Sequence, residues 1–168
     1  MERLMVKIQA SKRLGLIIKR FLRIFGVCHL CVASLFLGSD IQAIAEDCVR
    51  CNFDNQNLAF ADFTNSNLSG SSFRNAYLAG ADFTNAVLDG SDFSDAIANL
   101  AIFKNTHLKN TLFIATELEI SNFEGARFLG ANFTKAYLVH SRIDEQNANS
   151  AIFCATIMFD ATKNNRDC

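Results

Sequence analysis

Four cysteines hold most of the chemical potential of this chain. Cys48 and Cys51 form a Cys-x-x-Cys, and Cys154 and Cys168 lie more than a hundred residues further on. Such a set can bind a tetrahedral zinc, act as a redox dithiol, or form disulfides in an oxidising compartment. The redox reading wants a thioredoxin-like βαβ setting, and no such pattern surrounds Cys48. His107 and His140 have no carboxylate or cysteine at catalytic spacing and read as solvated surface residues. No nucleophile with a paired base, phosphate-binding glycine loop or metal-ligand cluster is present, so neither enzymatic activity nor a cofactor is expected.

Which cysteine chemistry applies depends on the elements that place the thiols. The chain has 168 residues, net charge −1, half its residues hydrophobic, sixteen Phe, no Trp and no Pro. That composition fits one compact domain and excludes a charge-rich disordered chain. The charge is unevenly spread. Residues 1–45 carry seven Lys or Arg against Glu2 and Asp40, giving +5, and residues 46–168 carry nine against fifteen Asp or Glu, giving −6. The acidic part offers no basic stripe, which disfavours direct nucleic-acid binding.

Residues 1–45 have the order of a secretory signal. Seven cations end at Arg23, an apolar run follows from Ile24 to Leu37, and Ala43-Ile44-Ala45 supplies a small-x-small site, so cleavage is expected before Glu46. The run is 14 residues long with His29 inside it, short of the roughly 20 needed to span a bilayer, so no permanent membrane span is expected. The alternative is an uncleaved amino-terminal segment that anchors the chain. Export would leave Cys48, Cys51, Cys154 and Cys168, an even count that suits disulfides.

A five-residue period dominates what remains. Stepping by five from Phe53 to Met158 meets 22 positions, all apolar and 20 of them large, and Ala, Ser or Thr stands two residues before 19 of them. On an α-helix, fifth residues rotate by about 140° and would scatter the large side chains. On a straight strand, odd steps alternate faces and would expose every second one. The chain must therefore turn a corner about every five residues, winding a solenoid with the large residues inside. Two residues after each central position, half of the 22 sites are Gly or Asn, and every Gly after residue 38 lies there. Those residues tolerate the positive φ of tight turns.

Units such as Ala61-Asp62-Phe63-Thr64-Asn65, Ala81-Asp82-Phe83-Thr84-Asn85 and Ala131-Asn132-Phe133-Thr134-Lys135 resemble the pentapeptide-repeat family over residues 51–160. The resemblance implies an all-β fold, a right-handed quadrilateral parallel β-helix with four repeats per coil and about five and a half coils. The alternation of Phe and Leu agrees with an even-sided coil. Four sides gather Phe53, Phe73, Phe93, Phe113, Phe133 and Phe153 into one column, whereas three would mix Phe with Leu. The expected division is a leader over 1–45, an N-terminal cap over 46–52, the β-helix over 53–158 and a C-terminal cap over 159–168.

In such a solenoid the two cysteine pairs stand more than about 20 Å apart at a coil spacing of about 4.8 Å, so one four-cysteine zinc site is excluded. Two local disulfides, Cys48 with Cys51 and Cys154 with Cys168, are expected to pin the open ends, whose unpaired backbone needs capping.

Outward positions sort by face, and one face differs from the others. Its outward residues include Phe60, Tyr77, Ile97, Leu100, Ile120, Tyr137, Val139 and Ile157, whereas the other faces are mostly polar. A contiguous apolar strip marks a covered surface or an interface. Either the C-terminal tail folds over part of it, or it serves a homodimer or another protein partner. The expected function is a non-enzymatic exported module, periplasmic or secreted, with a structural or protein-interaction role. The alternative is a cytosolic DNA mimic of the same family that binds DNA gyrase.

Overall fold

The computed structural model describes residues 47–144 and 148–168. The leader expected over 1–45, its cleavage before Glu46, and the repeat position at Gln146 lie outside the described residues.

Each coil takes twenty residues. Parallel bridges join rungs twenty residues apart: Asn52 to Ser72, Asn57 to Tyr77, Asp62 to Asp82 and Asn67 to Val87 begin four ladders that continue up the molecule. The bonding is regular. The Phe53 N–H donates to the Ser72 carbonyl at 2.7 Å, and the Ser72 N–H donates back to Cys51 at 2.8 Å. The first face centres on Phe53, the second on Leu58, the third on Phe63 and the fourth on Leu68, with the same columns repeating every twenty residues. Rungs stay short because a corner interrupts the chain every fifth residue.

The corners share one geometry. The Ala61 N–H donates to the Leu58 carbonyl at 3.1 Å, and Phe60 between them has φ 58°, the pattern of a type II turn. Every fifth residue from Arg50 to His140 takes positive φ, whatever its side chain. Asn and Gly fill many of these corners, but Phe60, Leu100, Ala115, Ile120 and Lys135 adopt the same conformation. The ladders on both sides of a corner fix its backbone, so tertiary bonding overrides local preference.

Phe rings fill the lumen in two facing columns. Along the first face, successive rings from Phe53 to Phe153 stack with centroids 4.7, 4.6, 5.1, 4.8 and 5.4 Å apart. On the third face Phe63, Phe83, Phe103 and Phe123 stack likewise at 4.8, 5.0 and 4.8 Å. The columns meet edge to face, as at Phe83 and Phe93, 5.6 Å apart. That arrangement suits the ring quadrupoles in both directions.

Where the small residue two positions before a centre is Thr, it has a second task. Buried Thr106, Thr111 and Thr116 donate their hydroxyls to the carbonyls of Phe83, Leu88 and Phe93 on the coil below, at 2.9, 2.8 and 2.8 Å. A hydroxyl facing the narrow lumen would otherwise lose water without compensation.

Candidate interaction surface

The two ends are closed by different means. Cys48 and Cys51 are joined by a disulfide with Cα atoms 5.6 Å apart, and Cys154 and Cys168 by another at 4.9 Å. Among the described residues no group of three or more His, Cys, Asp or Glu could hold a metal.

Beyond Met158 the chain turns back. Strand β1 (Thr156–Ile157) pairs antiparallel with β2 (Lys163–Asn164). The next three side chains then stand in for a further coil on the first face. In the body of the β-helix, Phe133 N–H donates to the Ile152 carbonyl and Lys135 N–H to the Cys154 carbonyl. On the last rung, Phe153 N–H donates to Asp167 Oδ2 at 2.8 Å and Ala155 N–H to Asn165 Oδ1 at 3.2 Å. The Ala151 carbonyl accepts from the Arg166 guanidinium, as the Ala131 carbonyl accepts from the Ile152 N–H one coil below. That guanidinium also lies 5.3 Å above the Phe153 ring, where the next ring of the column would stack. Asn165, Arg166 and Asp167 thus satisfy an edge that would otherwise be a template for pairing. The Phe153 N–H, together with the adjacent Arg166, holds the Asp167 carboxyl below its ordinary value. Nothing in the polar string at the end of the sequence marks this substitution of side chains for backbone.

A cavity of about 290 Å³ opens between the last coil and this tail, lined by Ile143, Phe153, Met158, Asn164 and Arg166 among others. Arg166 is already engaged by Asp167 at 3.1 Å and by the Ala151 carbonyl, so its charge is committed to the cap.

The tail closes the end of the β-helix and leaves most of the second face bare. Phe60 is 78% exposed, and Tyr77, Ile97, Leu100, Ile120 and Tyr137 are exposed large hydrophobic residues. Val139 and Ile157, expected with them, are instead half-buried. Ile157 is held in the β1–β2 pair opposite Lys163, and Val139 lies one rung below Phe159, whose carbonyl accepts the His140 N–H at 3.0 Å. Leu129 and Ile152 are exposed on other faces, singly.

The corner that ends the second face carries the largest apolar side chains of the four. Going up the third-face corner, Asn65, Asn85, Asn105 and Gly125 follow one another, with an amide ladder of 3.2 and 3.4 Å between the asparagines. The second-face corner instead holds Phe60, Gly80, Leu100, Ile120 and His140, all at positive φ. Left-handed backbone costs an L-residue about 1–2 kcal/mol, and a β-branched residue there is a genuine outlier. Gly80 leaves room for Phe60: a Cβ on it would lie 2.7 Å from that ring. Leu100 and Ile120 have no such glycine on the rung above, and both side chains are exposed at these left-handed positions.

Comparison with known proteins agrees with this architecture. A family model for a pentapeptide repeat region matches residues 78–153, and one for pentapeptide repeats, in eight copies, matches 47–85. No curated protein matches the chain. Among solved structures, a pentapeptide repeat protein from Nostoc PCC 7120 is similar at 24% identity and TM-score 0.52, covering 61% of this chain and 84% of that one. A pentapeptide repeat protein of the Arabidopsis thaliana thylakoid lumen is similar at 29% identity and TM-score 0.38, covering 67% and 81%. QnrB1, a plasmid-mediated fluoroquinolone resistance protein, is similar at 15% identity and TM-score 0.33, covering 67% and 72%. The fold is a right-handed quadrilateral β-helix.

Proposed function

The chain belongs to the pentapeptide-repeat family, and from that premise we propose that it is a non-enzymatic, exported module whose second face docks a protein partner. The observation that carries this reading is the left-handed placement of Leu100 and Ile120, at φ 63° and 58°, with both side chains exposed. Asp95, Ala115 and Lys135 take the same conformation at the first-face corner, but among the described residues large apolar side chains occupy it only on the second face. Two disulfides at the ends suit an oxidising compartment, and the leader reading of residues 1–45 agrees with it. The rigid stack behind the face holds it in shape, which lowers the ordering cost of binding.

Replacing Leu100 and Ile120 by Asn tests the reading. Relief of about 1–2 kcal/mol of backbone strain per site offsets the roughly 1 kcal/mol lost from each half-covered side chain. Denaturant unfolding of Leu100→Asn/Ile120→Asn is expected to give a stability within about 1 kcal/mol of the parent, or above it. A loss of about 3 kcal/mol or more would make these side chains supports of the fold and remove the case for an interface.

A further inference from the structure

Resting on the reading of the second face as an interface, we propose that its occupant is a segment of another protein that presents a lysine or arginine between apolar side chains. The face carries no Lys or Arg on any of its rungs, from Gln56–Phe60 through Thr156–Asp160. At its middle stand Glu117 and Glu119, both exposed. Two carboxylates on other faces have a cation at hand, with Arg74 reaching Asp92 at 3.4 Å and Lys104 reaching Glu124 at 3.3 Å. On the second face the neighbour is an amide. Asn99 Nδ2 donates to Glu117 Oε2 at 3.2 Å, and Asn99 Oδ1 accepts the Glu119 N–H at 2.8 Å.

Glu117 interrupts the column of Tyr77, Ile97, Tyr137 and Ile157, and Glu119 stands in the neighbouring column between Asn99 and Val139. Glu117 is bridged to Ile97 on the rung below and to Tyr137 on the rung above, and Leu100 and Ile120 flank the site at the corner. A partner that covered the strip with apolar groups alone would bury both carboxylates unpaired, at high cost. A cation with an aliphatic stem meets both needs, since its methylenes lie on apolar surface while its head reaches the carboxylates.

A second copy of this chain fits poorly. Two-fold pairing about the middle of the face would bring two pairs of carboxylates into one interface with no cation between them. The face is also small. Six rungs spaced about 4.8 Å make it about 24 Å tall, and three extended residues make it about 10 Å wide, roughly 240 Å² against the roughly 800 Å² per partner of a stable complex. An extended peptide segment suits those dimensions better than a globular surface does.

The test measures fluorescence anisotropy of two labelled peptides, Leu-Lys-Phe-Lys-Leu and Leu-Glu-Phe-Glu-Leu, with the full chain at low salt. The lysine peptide is expected to bind at least about tenfold more tightly. That preference should vanish in Glu117→Gln/Glu119→Gln, and binding should be lost in Leu100→Asn/Ile120→Asn. Equal affinity for the two peptides, both lost in the Leu100/Ile120 variant, would overturn the cationic occupant and leave the interface reading standing. Binding that survives in the Leu100/Ile120 variant would overturn the interface reading itself. Failure of the lysine peptide to bind at about 1 mM would overturn the proposal. So would concentration-dependent dimerisation of the parent chain that the same variant abolishes, which would make the occupant a second copy.

Discussion

Replacing Phe93 by Ala removes the middle ring of the first-face column, at a point where every neighbour is fixed. Phe73 and Phe113 stack on it at 4.6 and 5.1 Å, and Phe83 and Phe103 meet it edge to face at 5.6 and 5.8 Å. Ladder bonds above and below hold all four, so the cavity cannot close by collapse. The loss should therefore fall at the upper end of the range for Phe→Ala, about 4–5 kcal/mol. Phe153 offers the internal control. Among the described residues it has one ring neighbour, Phe133 at 5.4 Å, and the exposed Arg166 guanidinium in place of a ring on its other side. Phe153→Ala should cost about half as much, roughly 2–3 kcal/mol. Urea unfolding followed by far-UV circular dichroism measures both, and a domain of ordinary stability survives either change. Equal losses at the two sites, or a loss below about 1 kcal/mol at Phe93, would refute the reasoning that stacked neighbours set the cost.

The cap, the corners and the end staple give further tests. The Asp167 carboxyl is held below its ordinary value chiefly by the Phe153 N–H, so its contribution is present above an unfolded value near 3.8 and is lost as pH falls through the folded value. Amide protection at Phe153 should therefore drop in acid, and Asp167→Asn should flatten that dependence; an unchanged profile would contradict it. Reduction of Cys154–Cys168 should let trypsin cut at Lys163 and Arg166 while the far-UV spectrum of the β-helix persists. Cleavage spread through the coils would instead mean that the staple supports the whole solenoid. A Cβ on Gly125 would lie 2.3 Å from Asn105 Oδ1, whereas one on Gly90 would meet nothing within 4 Å. Gly125→Ala should thus be clearly more destabilising than Gly90→Ala, whose cost of about 1 kcal/mol comes from its backbone alone; equal thermal shifts would contradict the amide ladder.

The fold is legible because each rung makes the same demand. A large residue every fifth position demands a corner about every five residues, and the alternation of Phe with Leu requires an even number of sides, which the family resemblance makes four. The corners are only half legible, since Asn and Gly advertise positive φ but Leu100 and Ile120 do not. Their conformation is imposed by ladders twenty residues away. The apolar face can be sorted from sequence once the sides are known, yet its left-handed corners appear only in the backbone. The cap hides most completely. Asn165, Arg166 and Asp167 read as a polar tail, and only the orphaned groups of Ala151, Phe153 and Ala155 reveal what they replace.

An exported module capped at both ends makes a claim about mass and thiols. The most direct test is intact mass spectrometry of the protein from separated cell fractions, with thiol alkylation before and after reduction. The account predicts a species outside the cytosol that begins at Glu46 and in which Cys48, Cys51, Cys154 and Cys168 are alkylated only after reduction. A full-length cytosolic species with free thiols would contradict it.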